Sequence, residues 1–421
     1  MPRWKIWTAS IALSPWLMAV MDKALKARLQ QAANQFGTPL YVYDVVAVRA
    51  RAAELTSLFQ GVFQLSYALK ANPNLALLKA MQGHVPYLDV SSIGEFRRAV
   101  AAGFASNVIS FTGPAKRDAE LSEAIANGLG HLVVESVDEA EAASVIAQEL
   151  GRTQAVLVRL SPNQVPKGFG LNMSGRPTQF GIDEDEAIEA VRHIMGLSHL
   201  NVEGLHIYSG TQCLKADAVA ENHAIMAALF EKVCEAVDLS PKHLVFGGGM
   251  GVPVHAGEAP LDEAAVAALD VPLLNKLKNN PRFAQTVCAL EIGRALVAEA
   301  GWFITQVVRV KESRGTRIAL CDGGLNNHLA ATGNFGAAIR RNFRLQAISQ
   351  SNDIAAQDIV GPLCTTIDLL GQKIDLPLVC AGDLVVIEAS GAYGFTASPT
   401  AFISHPAPKE VLWDGEKLAE I

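Results

Sequence analysis

The sequence predicts an α/β chain in which a (β/α)8 barrel is inserted into a β-sandwich or β-barrel domain built by both chain ends. Three observations lead there. Short apolar runs rich in β-formers alternate with helix-like segments from about residue 45 to about residue 290, the pattern of parallel βαβ units. After about residue 300 the alternation stops, and strands and turns continue with little helix. One further strand-like run, TPLYVYD at 38–44, stands before the alternation begins.

In chain order, MPRWKIWTASIALSPWLMAV (1–20) places Arg3 and Lys5 ahead of an apolar run and looks like a short signal or membrane-surface segment. Ser14-Pro15 interrupts it, and it is too short for a convincing transmembrane helix. The preferred reading is an N-terminal extension from an upstream start codon, because MDKALKARLQQAANQFG from Met21 is a natural amphipathic first helix closing on Gly37. Strands are expected near 66–70, 87–91, 108–112, 131–135, 155–160, 202–208, 243–247 and 287–291. Between them lie IGEFRRAVAAG, RDAELSEAIANG, VDEAEAASVIAQELG and DEDEAIEAVRHIMG, several opening on Asp or Glu and closing on Gly as helix ends prefer. Eight strands over about 225 residues suit a closed barrel, typically ~250 residues long. An open doubly wound sheet would want a Gly-rich turn after its first strand, where this chain has Lys70. The expected division is an extension at 1–20, a barrel at 45–290, and a β domain from 21–44 plus 291–421.

Composition narrows the function classes. The 421-residue chain is half hydrophobic, enough for a large core, and its net charge of −7 includes no basic run, so nucleic acid is not an expected partner. Six cysteines (213, 234, 288, 321, 364 and 380) show neither CxxC pairs nor metal-ligand spacing. They read as reduced thiols of a cytoplasmic protein, with no metal site and no disulfide framework.

Among candidate functional residues, Lys70 comes first. YALKANPN (67–74) delivers a lysine to the end of an apolar strand, and ANPN breaks the strand at once. A lysine there is costly unless paired, neutral or covalently used. Barrel active sites gather at the C-terminal strand ends, here Lys70, Ser91, Thr112, Glu135, Arg159, Tyr208, Gly247 and Glu291. The run GGGMG, with Gly247, Gly248, Gly249 and Gly251, follows the seventh strand. Backbone N–H groups of such a run approach an anion closely where barrels often bind phosphate; a plain flexible turn is the alternative. EIGR then supplies Glu291 and Arg294, either a local ion pair or an acid for a ligand ring beside a base for its phosphate. A lysine able to form a Schiff base, a phosphate cradle and an acid for a ring nitrogen together describe pyridoxal 5'-phosphate. His206 is expected on the opposite side of its strand from Tyr208, as a core or interface histidine, and His328 as a structural loop histidine. Arg340-Arg341 offers a carboxylate- or phosphate-binding pair, with a solvated charged face as an equal alternative.

The motifs YALKAN, DVSSIGE, GLHIYSGTQ, GGGMG, EIGR, GPLCTTID and GAYG occur in this order. From about residue 38 to the C-terminus the chain resembles the alanine-racemase-fold pyridoxal phosphate decarboxylases, typified by diaminopimelate and ornithine decarboxylases. GPLCTTIDLLG, SGAYGFTASPTAFISHP and DGGLNNHLAATGNFG are most similar to two branches. One is the exosortase-associated decarboxylases of exopolysaccharide gene clusters. The other includes the butirosin-pathway decarboxylase, which acts on a glutamyl group held by a carrier protein. The resemblance implies a carboxy-lyase acting on an amino acid or its conjugate through an external aldimine and a quinonoid. It implies that Lys70 binds the cofactor, that Gly247 to Gly251, Arg294 and Tyr393 hold its phosphate, and that Glu291 keeps its ring nitrogen protonated. Cys364 would reach the site from the partner subunit of a homodimer and deliver the proton that replaces the lost carboxylate; an inert buried thiol is the alternative.

Two departures from the family pattern matter. Tyr208 stands where diaminopimelate and ornithine decarboxylases stack a histidine on the cofactor face, and EIGR replaces EPGR, a mild change. In enzymes for diaminopimelate the site cysteine is followed by glutamate and serine, and the glutamate helps recognise the distal charged end. This chain has Thr365 and Thr366 there, with Asp368 in the later acidic position. A buried ammonium without an anionic partner is strongly disfavoured, so the distal end is expected to be neutral, acidic or masked, with Arg340 or Arg341 available to an acidic one. Three alternatives remain: diaminopimelate decarboxylase proper, an amino-acid racemase, and a non-catalytic cofactor-binding regulator. A racemase usually has an arginine at the ring nitrogen, against which stands Glu291; a regulator would not need Lys70, Glu291 and Cys364 together.

Overall fold

Helix α1 (Lys23–Phe36) starts where the side chain of Asp22 accepts the Leu25 N–H at 2.7 Å and stops at Gly37, whose φ of 82° suits glycine. The computed structural model describes residues 21–335 and 340–421, so the extension expected at 1–20 lies outside the described residues. Leu29, Ala32 and Ala33 of α1 pack on Leu40 and Val42 of strand β1 (Leu40–Asp44). The alternate residues Tyr41 and Tyr43 point into the main core instead. Asp44 ends β1 and caps α2 (Val45–Leu58) by accepting the Ala47 N–H.

The barrel follows. Its strands are β2 (Gln64–Ala68), β3 (Tyr87–Val90), β4 (Ile109–Phe111), β5 (His131–Val134), β6 (Gln154–Ser161), β7 (Leu200–Ile207), β8 (His243–Gly247) and β9 (Val287–Ile292). Seven helices separate them: α3 (Leu75–Met81), α4 (Ile93–Ala101), α5 (Asp118–Ala126), α6 (Val137–Glu149), α7 (Ala187–Met195), α8 (Ala216–Ala236) and α9 (Glu263–Asn279). All neighbours pair parallel in the order β5-β4-β3-β2-β9-β8-β7-β6, and β5 pairs β6 to close the ring. The eight expected strands are therefore all present, within a few residues of their expected bounds.

Beyond the barrel come β10 (Gly301–Ser313), β11 (Thr316–Cys321), β12 (Leu345–Ile348), β13 (Ile354–Val360), β14 (Leu369–Pro377), β15 (Leu384–Ile387), β16 (Lys409–Trp413) and β17 (Leu418–Glu420). They form one sheet of order β14-β13-β11-β10-β1-β16-β17, with β15 bridging β10 and β12. Strand β1 sits inside it, antiparallel to β10 and parallel to β16. The chain leaves this sheet after β1, builds the barrel, and returns to it at β10.

Candidate active site

Period-two alternation decides what faces the centre of the barrel. Val133, Leu157, Val245 and Ala289 form an apolar layer of their own. Two residues further along each chain stand Glu135, Arg159, Gly247 and Glu291. By the same period Asp89 and His206 turn inward, because their neighbours Leu88, Val90, Leu205 and Ile207 belong to the core outside the ring. This corrects the expectation for His206: residues two apart on a strand share a side, so His206 lies on the side of Tyr208, not opposite it. Ser91, expected at the mouth, is exposed, and its N–H donates to Glu95 at 2.7 Å. Asp89 takes its place.

Lys70 lies just past β2, in a single turn of 3-10 helix (Leu69–Ala71). Its Nζ is 3.5 Å from Glu291 Oε1 and 4.8 Å above the centroid of the Tyr208 ring. Glu291 is 2% exposed, and its Oε2 is 2.9 Å from His206 Nε2. Burial alone would raise the Glu291 pKa, but the charge of Lys70 and the hydrogen bond from His206 outweigh it and hold the carboxyl at about 2. For Lys70, burial opposes the ammonium, yet Glu291 overrides it and raises the pKa. Asp89 moves the other way: burial and the nearby charge of Glu291, opposed by Lys70, push it up to about 8. Its Oδ1 accepts the hydroxyls of Thr112 and Ser110, while Oδ2 is buried without a partner. Lys70 and Glu291 thus meet as an ammonium and a carboxylate, while Asp89 is biased toward its protonated form.

The strand break ANPN joins the two parts of the molecule. Asn72 Nδ2 donates to the Gly391 carbonyl at 3.0 Å, and the Tyr393 N–H donates to the Ala71 carbonyl at 2.8 Å. Asn74 caps α3 by accepting the N–H groups of Ala76 and Leu77. Tyr393 is held at φ 53°, a left-handed conformation unusual for tyrosine. Its ring lies 4.8 Å from the guanidinium carbon of Arg294.

The glycine run is tightly enclosed. A side chain at Gly247 would collide with the Tyr208 ring, and Gly249 adopts φ 61° where a side chain would collide with Phe169. The N–H of Gly248 donates to the Glu291 carbonyl at 2.9 Å and that of Gly251 to the Cys213 carbonyl at 2.8 Å. These two amides are engaged within the protein, which corrects the expectation that the whole run faces an anion; Gly249 and Met250 line the basin. Arg294 lines it too. Its Nε is buried without a partner, burial pulls its pKa down, and among the described residues no carboxylate pairs with it. A buried guanidinium lacking an anion, a small-residue loop and a lysine beside a carboxylate fit a compact phosphorylated ring such as pyridoxal 5'-phosphate.

The basin brings together Lys70, Tyr208, Gly249, Glu291, Arg294 and Tyr393. Cys364, Thr365, Thr366, Asp368, Arg340 and Arg341 do not line it. Cys364 is exposed in the turn after β13. Asp368, expected as a substrate contact, is buried: Oδ1 accepts the Leu325 N–H at 2.6 Å and Oδ2 the Leu363 N–H at 2.8 Å. It ties the Cys364 turn to the segment after β11. Arg340 donates to the carbonyls of Thr332 and Leu369, and Arg341 pairs with Glu258 at 2.7 Å, so both have partners within the chain. His328 is buried with Nε2 3.0 Å from Ser390 Oγ and the Ala331 N–H on Nδ1, a structural histidine as expected. A larger cavity also borders Gly251, but Arg51 and Arg344 there are paired with glutamates.

Comparison with known proteins agrees with this geometry. Residues 45–298 match the family described as pyridoxal-dependent decarboxylase, pyridoxal binding domain. The L-glutamyl-[BtrI acyl-carrier protein] decarboxylase of Niallia circulans is 33% identical, covering 92% of this chain and 91% of the relative. The diaminopimelate decarboxylase of Zymomonas mobilis is 30% identical over 93% of this chain and 91% of its own length. A Staphylococcus aureus decarboxylase of 2-[(L-alanin-3-ylcarbamoyl)methyl]-2-hydroxybutanedioate is 29% identical over 88% and 92%. Among solved structures, the diaminopimelate decarboxylase of Helicobacter pylori complexed with L-lysine superposes with a TM-score of 0.82 at 29% identity, covering 93% of this chain and 95% of that one.

Proposed function

Because the chain belongs to the pyridoxal-dependent decarboxylase family, we propose that it decarboxylates an amino acid whose distal end is masked, as in a glutamyl group linked to a carrier protein or a related conjugate. The observation that carries this reading is the state of the Cys364 turn. Its one carboxylate, Asp368, is buried and accepts two backbone N–H groups, while the positions after the cysteine are Thr365 and Thr366. A substrate with a distal ammonium, such as diaminopimelate, ornithine or lysine, finds no acid there, and an unpaired ammonium is strongly disfavoured. A free acidic end would have to compete with the partners that Arg340 and Arg341 already hold. A neutral amide or thioester linkage asks only for hydroxyls.

Pyridoxal 5'-phosphate, when bound, supplies the sink for the electron pair left at Cα as carbon dioxide departs. Around it, the roles of this chain's residues follow from their surroundings. Lys70 is the amine that holds the cofactor. Glu291, kept ionised by Lys70 and His206, is the acceptor for the ring N–H. Arg294, with Gly249, Met250 and Tyr393 beside it, provides charge and donors for the phosphate. Tyr208 offers its ring face and limits the room at Gly247. Cys364, exposed and outside its own chain's basin, is the proton donor to Cα in the site of a second copy, so the working unit is a homodimer with shared sites.

The test compares carbon dioxide release from diaminopimelate, ornithine, lysine, free glutamate and carrier-linked glutamate under identical conditions. The carrier-linked substrate is expected to be turned over most efficiently. Efficient turnover of diaminopimelate or lysine with little activity on the rest would refute the reading.

A further inference from the structure

Besides helping to keep Glu291 ionised, His206 makes a directional contact with it. It is 1% exposed, faces the barrel centre, and places Nε2 2.9 Å from Glu291 Oε2. The groups facing it are Glu291 on β9, Arg159 on β6 and Glu135 just past β5, the last two joined at 2.9 and 3.0 Å. Arg159 is the strand-register neighbour of His206. An ionised carboxylate only accepts, so the proton of this bond sits on Nε2 of the histidine. His206 Nδ1 is then a bare acceptor, and it is buried without a partner. Burial, reinforced by Arg159 and opposed by Glu291, keeps the ring below its ordinary pKa and therefore neutral at pH 7.

We propose that His206 is a positioning residue for the cofactor. By donating Nε2–H to Oε2 of Glu291 it fixes the carboxylate, so that Oε1, the oxygen on the Lys70 side, is the one offered to the ring nitrogen. The inference rests on Glu291 being the acceptor for that nitrogen. Without His206 the buried carboxylate has only Lys70 to hold it and is free to rotate toward the lysine. A hydrogen bond to a charged group inside a protein is worth enough to matter for such a choice.

The experiment separates this role from simple packing. Apoprotein of the wild type, His206→Leu and His206→Gln is titrated with pyridoxal 5'-phosphate and with its deaza analogue, in which C–H replaces the ring nitrogen. Dissociation constants and absorption spectra are read for each. The wild type is expected to prefer the natural cofactor by about 10- to 100-fold, the span of one charge-assisted hydrogen bond. In His206→Leu the preference shrinks by about tenfold or more, and His206→Gln, whose amide still donates, restores most of it. His206→Asn, too short to reach Oε2, replaces the leucine variant if that fails to fold, with the same expectation. An undiminished preference in the variant that cannot donate to Oε2 means that His206 only fills space and overturns the proposal. No preference in the wild type removes the role of Glu291 and the proposal with it.

Discussion

The barrel mouth and the turn carrying Cys364 differ in how much of their polar chemistry is already engaged. At the mouth, Arg294 Nε and Asp89 Oδ2 are buried without partners, and Lys70 meets Glu291 at a loose 3.5 Å. Of these, Lys70, Glu291 and Arg294 line the basin. In the turn the reverse holds: its one carboxylate, Asp368, accepts from Leu325 and Leu363, and what is exposed includes the Cys364 thiol, which two threonines follow. The mouth is built within one chain around a charged cofactor. The turn is a braced edge that presents Cys364, Thr366 and Ile367 outward. On the proposed reading the barrel mouth holds the cofactor, while the β-domain turn supplies Cys364 and governs substrate discrimination.

The largest expected effect breaks the barrel side of this contrast. Lys70→Ala should lose the borohydride-reducible covalent adduct and lower turnover by ~10³-fold or more. A reducible adduct persisting in that variant would remove Lys70 from its assigned role. Next, Cys364→Ala should lower turnover by ~10²-fold or more, as loss of a general acid does, while leaving the adduct intact. Mixing the Lys70→Ala and Cys364→Ala proteins should restore part of the activity, because one site of each mixed dimer has both residues. A fully active monomer at assay concentration would contradict the shared site.

A smaller effect probes the seam between the regions, where His328 lies buried near Arg294. Burial, then the charge of Arg294, pushes its pKa down to about 3. The unfolded chain takes up that proton near pH ~6.5, so the folded state's advantage is complete above that pH and is lost as pH falls toward the folded value. The slope is about 1.4 kcal/mol per pH unit where the group titrates only in the unfolded chain. Denaturant unfolding of the wild type and His328→Gln between pH 6.5 and 4 should show a flatter acid limb for the variant. Parallel limbs would mean that His328 does not carry the proton linkage.

Much of this was legible in the sequence because strands print their geometry as alternation. The eight barrel strands, α1 ending at Gly37, and the strand-end groups Lys70, Glu135, Arg159, Tyr208 and Glu291 follow from apolar periodicity and its breaks. Asp89 and His206 were readable by the same rule, each a lone polar residue between two outward apolar ones (Leu88 and Val90, Leu205 and Ile207), but the strand-end criterion favoured Ser91 and Tyr208 instead. Asp368, Arg340 and Arg341 were not readable. Their partners are backbone groups and side chains brought up by loops distant in sequence, such as Leu325 and Glu258, and no local pattern encodes those meetings. The engaged amides of Gly248 and Gly251 are of the same kind.

The most direct test of the division between chemistry and discrimination is a Thr365→Glu substitution, which adds an acid to the exposed turn without touching the basin. The ratio of kcat/KM for diaminopimelate to that for carrier-linked glutamate is measured in the wild type and the variant, alongside the cofactor absorption spectrum. The expected result is an unchanged spectrum and a ratio shifted toward diaminopimelate by about tenfold or more, the worth of a partially desolvated charge pair. An unshifted ratio, or equal loss on both substrates, would contradict it.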